Sequence, residues 1–231
     1  MNSILKLWKK YSYLLLITFL IAGLFDFRIG LIATICMIAP IIVALFKGRF
    51  WCGNVCPRGN FYDNLVSKFS NKKKVPPFLK SLYFRILVTV IMLTVFTTGM
   101  VKNWGNLYGM GFVIYRLIVV TTIIGLVLSL FYNERTWCNF CPMGSIAALV
   151  SKFKNKKNED KLLKVNTTCV SCKICEKNCP MGIAPYEYKE NSISHPDCIQ
   201  CSRCVYKCPK KSIGYDNNII TKIDKVQNLN K

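Results

Sequence analysis

The chain is poor in acid and almost without histidine. Its 231 residues hold 11 Asp and Glu against 32 Lys and Arg, with a single histidine, His195. One imidazole excludes bis-histidine haem within the chain. His195 precedes Pro196 and Asp197 and reads as a loop residue at the surface or behind a ligand, rather than as a metal ligand. No G-x-G-x-x-G, P-loop or nucleophile elbow occurs, so dinucleotide, phosphate-loop and serine-hydrolase chemistry have no motif to rest on. The positive excess comes without a basic-aromatic recognition module, which argues against nucleic acid as a partner.

The charge is placed as in a membrane protein. All Lys and Arg except Arg28, Arg85, Lys102 and Arg116 fall in residues 1–10, 47–82 and 132–231. Between them lie four apolar runs, roughly Tyr11–Phe25, Ile29–Phe46, Tyr83–Met100 and Phe112–Phe131. The last three approach the ~20 residues a spanning helix needs. The first is shorter and follows Lys6, Lys9 and Lys10, but no small-residue cleavage site comes after it, so it reads as a retained span. The positive-inside pattern predicts a multi-pass protein of the cell membrane. It puts both termini and the 47–82 loop in the cytoplasm, and 26–28 and 101–111 outside. Arg85 and Arg116, near span ends, are expected to reach back to the interface, with a functional role as the alternative for Arg116. Cys36, mid-span, reads as a small core residue.

Thirteen cysteines are present, and eight form two runs. C-V-S-C-K-I-C-E-K-N-C-P starts at Cys169 and C-I-Q-C-S-R-C-V-Y-K-C-P at Cys198. Each is C-x2-C-x2-C-x3-C-P, the bacterial ferredoxin run, whose fourth cysteine crosses to the other cluster. The expected ligand sets for two [4Fe-4S] clusters are therefore Cys169, Cys172, Cys175 and Cys208, and Cys198, Cys201, Cys204 and Cys179. Zinc prefers separated ligand pairs, and disulfides need an oxidising compartment that the predicted topology denies. Ile174, Ile183, Tyr186, Tyr188, Ile199, Val205 and Ile213 are the candidate core around the clusters. Lys173, Lys177, Lys207, Lys210 and Lys211 suit an acidic donor, a ferredoxin or flavodoxin, or simply solvent and anionic lipid.

Four more cysteines lie in an internal repeat. R-F-W-C-G-N-V-C-P-R-G, later L-V-S-K-F, matches R-T-W-C-N-F-C-P-M-G, later L-V-S-K-F. Arg49, Trp51, Cys52, Cys56, Pro57 and Gly59 thus correspond to Arg135, Trp137, Cys138, Cys141, Pro142 and Gly144. Each copy follows two spans, so a parallel two-helix repeat about an axis along the membrane normal is expected. That symmetry puts Cys52, Cys56, Cys138 and Cys141 on one side of the membrane. A shared metal or further cluster, redox thiols and structural turns all remain open for them. Trp51 and Trp137 read as interfacial anchors, Gly59 and Gly144 as turn residues.

Spans ending in these Cys-Pro motifs, followed by a double-cluster ferredoxin run, resemble the NapH/NosR/CcoG family of polyferredoxin membrane proteins across residues 10–215. The second motif is one residue shorter than the usual family spacing. The large extracytoplasmic flavin-binding region of NosR-like members and the long C-terminal domain of the CcoG type are not seen, so the likeness is to a compact NapH-like protein. The resemblance implies electron transfer between a cytoplasmic or membrane donor and a membrane or extracytoplasmic redox partner, with flavoproteins and respiratory or reductase subunits among the partners. As an alternative it implies metal handling or maturation of a respiratory metalloenzyme. The expected fold is an all-α membrane bundle of four transmembrane helices as a two-helix repeat, plus a small α+β bacterial-type 2[4Fe-4S] ferredoxin domain. The expected division is 1–153 for the membrane domain, 154–164 for a linker, 165–215 for the ferredoxin domain and 216–231 for a polar tail.

Overall fold

The computed structural model describes residues 3–154 and 161–215. Most of the expected linker and the whole expected tail lie outside the described residues. Four helices are long and apolar enough to cross a membrane: Ile4–Phe25, Phe27–Lys47, Leu82–Lys102 and Leu107–Phe131.

Helix α1 (Ser3–Phe25) starts earlier than the apolar run, because Lys6, Lys9 and Lys10 continue the helix instead of preceding it. Asp26 ends the connection by accepting a hydrogen bond from the Arg28 backbone N–H at 2.9 Å. The second span opens as a 3-10 turn, Phe27–Ala33, and becomes α2 (Thr34–Lys47). A side chain on Gly30 would overlap the Gly111 carbonyl, so the turn lies directly against the fourth span. Phe27 fills the same contact, its ring 4.9 Å from Phe112 and 5.2 Å from Tyr108. After α2 come two short helices, α3 (Phe50–Asn54) and α4 (Pro57–Asn64), with Pro57 at a first-turn position that needs no N–H donor.

The one-turn helix α5 (Pro77–Lys80) leads into the third span, α6 (Leu82–Lys102). The fourth, α7 (Leu107–Phe131), is capped by Asn106, whose side chain accepts from Tyr108 and Gly109 N–H. A 3-10 turn, Thr136–Asn139, and α8 (Pro142–Lys154) complete the helical part. Helix α4 packs on α1, and α8 on α2.

The C-terminal lobe is built on a two-stranded antiparallel ladder, β1 (Lys164–Val165) and β2 (Ile213–Gly214), with Val165 opposite Ile213. Two short helices, α9 (Ile174–Lys177) and α10 (Arg203–Lys207), pack against each other. Leu163, Val165, Cys175, Ile193 and Ile213 form its buried centre, with Tyr186, Tyr188 and Val205 against it. Leu162 and Leu163, placed in the linker on sequence grounds, are buried. So little apolar core in so few residues leaves much of the folding free energy to whatever the cysteines bind.

Candidate iron-sulfur sites

Each cysteine run forms tight turns with left-handed residues at matching positions. Ser171 and Lys173 have φ of 51° and 61°; Gln200 and Ser202 have 49° and 65°. Such non-glycine residues cost about 1–2 kcal/mol each, and persist where surrounding structure fixes them. Here they wrap consecutive cysteines around common centres.

Two cavities follow. One is lined by Cys179, Cys198, Cys201 and Cys204, the other by Cys169, Cys172, Cys175 and Cys208. The structure therefore gathers each crossed set expected from the sequence, although 33 residues separate Cys175 from Cys208 in the chain. Backbone N–H groups already point at the fourth cysteine of each run: Ile183 N donates to Cys179 Sγ at 3.5 Å, Ser212 N to Cys208 Sγ at 3.3 Å. Burial pushes the Cys198 thiol up to about 12 against the pull of the Gln200 N–H. A soft cationic centre would displace that proton.

The four membrane-motif cysteines are also brought close. Cys52, Cys56 and Cys141 line a further cavity reaching up among the spans, together with Cys36, which the sequence suggested was mere core. Cys52 and Cys138 pack against Met181, Ile183 and Ile199, the buried cluster that Cys179, Cys198 and Cys201 also touch. Burial pushes the Cys52 thiol up to about 12; Arg49 opposes this, while Cys56, Cys138 and Cys141 add to it. The cavity wall supplies one donor with no acceptor: Trp51 Nε1 is buried without a hydrogen-bond partner among the described residues. A soft donor set flanked by an unsatisfied N–H fits an anionic thiolate-bound centre. Among the described residues, no three His, Cys, Asp or Glu side chains are gathered tightly enough for a single metal ion.

Two ion-pair clusters lock the lobes together. Asp197 accepts two hydrogen bonds from Arg85, at 2.8 and 2.9 Å, and one from buried Arg49 at 3.0 Å. Asp63 accepts from Arg135 at 2.6 and 2.8 Å and from Arg203 at 2.8 Å, and Arg203 also pairs with Glu134. Arg85, expected to reach back to the interface, is held by Asp197 of the ferredoxin lobe. Gln200 Nε2 donates to the Lys47 carbonyl at 2.6 Å, Asn54 Nδ2 to the Gln200 carbonyl at 3.1 Å, and Lys9 Nζ to the Cys201 carbonyl at 3.1 Å. Asp63 and Asp197 were missed in the sequence. Their signal was scarcity, since few acids exist and these two sit beside cysteine motifs.

Two expectations are corrected. Trp137 is a core residue, 4 % exposed, stacked edge-on to Phe140 at 5.1 Å, and not an interfacial anchor. Gly59 and Gly144 lie in helices rather than turns, and their missing side chains admit Arg135 and Arg49. His195 Nδ1 accepts from the Asp197 N–H at 3.1 Å and so shapes the Asp197 loop.

Spans, cysteine-lined cavities and a ferredoxin-like lobe define a membrane iron-sulfur protein. A 4Fe-4S binding domain family matches residues 29–76 and 115–158, and a 4Fe-4S dicluster domain family matches 168–213. The chain is 30% identical over 191 residues to each of two uncharacterised proteins of Methanocaldococcus jannaschii, MJ0749 and MJ0750. These alignments cover 77% and 78% of this chain and 68% and 76% of those proteins. It is 25% identical over 225 residues to YccM of Escherichia coli, named as a candidate electron transport protein, covering 83% of this chain and 60% of YccM. The chain belongs to one family with MJ0749 and MJ0750, and it carries 4Fe-4S binding domains and binds [4Fe-4S] clusters. No solved structure matches it.

Proposed function

We propose that this protein is a membrane electron-transfer component that connects a soluble redox partner in the cytoplasm to an acceptor within or beyond the membrane. Bound [4Fe-4S] clusters supply one-electron carriers. Cys169, Cys172, Cys175 and Cys208 would hold one, Cys198, Cys201, Cys204 and Cys179 the second, and Cys52, Cys56, Cys138 and Cys141 a further centre. The observation that carries this reading is the shared packing of Cys52 and Cys138 with Cys179, Cys198 and Cys201 on Met181, Ile183 and Ile199. It gives the three cysteine sets an order. The Cys169 set is outermost, with Cys172 exposed to solvent, and the Cys198 set lies between it and the membrane motif.

Exposed Lys173, Lys177, Lys207 and Lys210 surround the outermost set and favour an acidic partner there. Met181, Ile183 and Ile199 keep water from the junction with the membrane motif. The matching Arg, Cys, Pro and Gly positions at the ends of α2 and α7 support a two-helix repeat of the kind resembled by NapH-like proteins. The name of YccM supports electron transport as the activity. Lys/Arg-rich segments favour both termini in the cytoplasm, with 101–111 on the far side.

The test is anaerobic iron and sulfide content, with stopped-flow reduction by a low-potential ferredoxin, on wild type and a C52A/C138A variant. The reading expects more than about eight irons per chain in wild type. In the variant, the two ferredoxin-type signals should still be reduced at the wild-type rate, while reoxidation by a membrane-soluble acceptor stops. Equal reoxidation in both proteins would sink it.

A further inference from the structure

Three arginines surround the membrane cysteines, and they are not equivalent. Buried Arg49 meets Asp197, and buried Arg135 meets Asp63. Each guanidinium thus has a carboxylate partner, Asp197 being shared with Arg85 and Asp63 with Arg203. Arg58 is half-buried on the wall of the membrane cavity, and among the described residues no carboxylate pairs with it. Its Nη1 donates to Thr121 Oγ1 at 2.8 Å, its Nη2 to Cys141 Sγ at 3.5 Å, and its Cζ lies 5.5 Å from the Trp137 ring centroid. An unpaired cation in apolar surroundings is costly unless an anion faces it. The groups that face it are sulfurs: Cys56 and Cys141 line the same cavity.

The internal repeat sharpens the point. Arg58 follows Cys56-Pro57, and the residue at the matching place after Cys141-Pro142 is Met143, on the same cavity wall. The cavity therefore holds a guanidinium on one side and an uncharged thioether on the other, in otherwise matching motifs.

We propose that Arg58 is a positioning residue that raises the reduction potential of the centre held by Cys52, Cys56, Cys138 and Cys141. The proposal rests on the reading that these cysteines hold a redox centre. Reduction adds one negative charge to that centre. A nearby cation and a hydrogen bond to a ligand sulfur both stabilise the reduced state, and net charge and sulfur hydrogen bonds are main determinants of such potentials. Arg135 belongs to a charge-balanced cluster and Arg49 has a share of Asp197, which leaves Arg58 as the one of the three whose charge no carboxylate opposes among the described residues.

The experiment uses the full chain, purified anaerobically with its clusters, as wild type, Arg58→Met and Arg58→Lys. Iron and acid-labile sulfide are counted, and each signal is followed by EPR-monitored redox titration. Methionine copies the matching position of the other motif and so is tolerated in shape. R58M is expected to keep its iron and lower the midpoint of the membrane centre by at least tenfold in its one-electron equilibrium, about 59 mV. R58K should recover most of the shift, and the two ferredoxin-type signals should not move. An unchanged midpoint in R58M overturns the proposal while leaving the membrane centre itself in place. Loss of the extra iron in both variants also overturns it, because a tuning residue whose charge lysine retains must leave the centre assembled. Wild type with only about eight irons and no third signal removes the underlying reading, a failure told apart by the iron count alone.

Discussion

Arg49 and Arg135 exchange partners across the two cysteine motifs. Arg49 Nη2 donates to the Cys138 carbonyl at 2.7 Å, and Arg135 Nη1 to the Cys52 carbonyl at 2.7 Å. Each arginine precedes one motif and holds the backbone of the other. Each crosses over a glycine of the opposite motif, Arg49 over Gly144 and Arg135 over Gly59. A buried guanidinium costs too much to leave unpaired, so this exchange fixes the distance between the two copies as well as their fold.

Gly144→Ala should therefore separate the motifs. An added methyl would sit 2.6 Å from Arg49 Nη2, whose guanidinium is held by Asp197 and the Cys138 carbonyl. The expected cost is about 1–3 kcal/mol, read as a lower thermal midpoint of the detergent-solubilised protein. An alanine variant as stable as wild type would show that the crossing is loose.

Asp63→Asn should destabilise the protein by about 3 kcal/mol near neutral pH, since fully buried Arg135 would lose its bidentate partner. Arg203, a third exposed, should add less. Burial raises the Asp63 pKa, but Arg135 and then Arg203 overcome it and hold the carboxyl below its usual value. A depressed carboxylate contributes stability above its unfolded pKa and loses it as pH falls through the folded one. The gap between variant and wild type should close below about pH 4. A gap independent of pH from 7 to 3 would contradict the assignment.

Cys208→Ser and Cys169→Ser should abolish the same EPR signal, and Cys179→Ser and Cys198→Ser the other. This follows from the two cavities, each lined by three cysteines of one run and the last of the other. If Cys208→Ser instead matched Cys198→Ser, the crossed assignment would be wrong.

Arg85→Ala should loosen the ferredoxin lobe without disturbing its clusters. Asp197 would keep Arg49 but lose two charged hydrogen bonds, about 1.5–3 kcal/mol of interaction. Hydrogen exchange should quicken in residues 195–203, and delivery of electrons to a membrane acceptor should slow at unchanged cluster spectra. Unaltered protection there would mean that Gln200, Asn54 and Lys9 suffice to hold the lobes.

Local pattern by itself determined the spans, the ferredoxin runs and the paired motifs. An apolar run of span length and a cysteine spacing of two and three residues carry their meaning within a short window, so α6, α7 and the two cysteine runs were legible. Only the tertiary structure decided what the charged residues meet. Arg85 and Asp197 are 112 positions apart, Arg135 and Asp63 are 72, and no periodicity encodes which buried cation finds which scarce acid. The same holds for Trp137, drawn inward by Tyr62 and Phe140, and for Gly59 and Gly144, whose role exists only because an arginine from the other motif crosses them. Burial forces each guanidinium to find a partner, and the partner is set by the packing of whole elements.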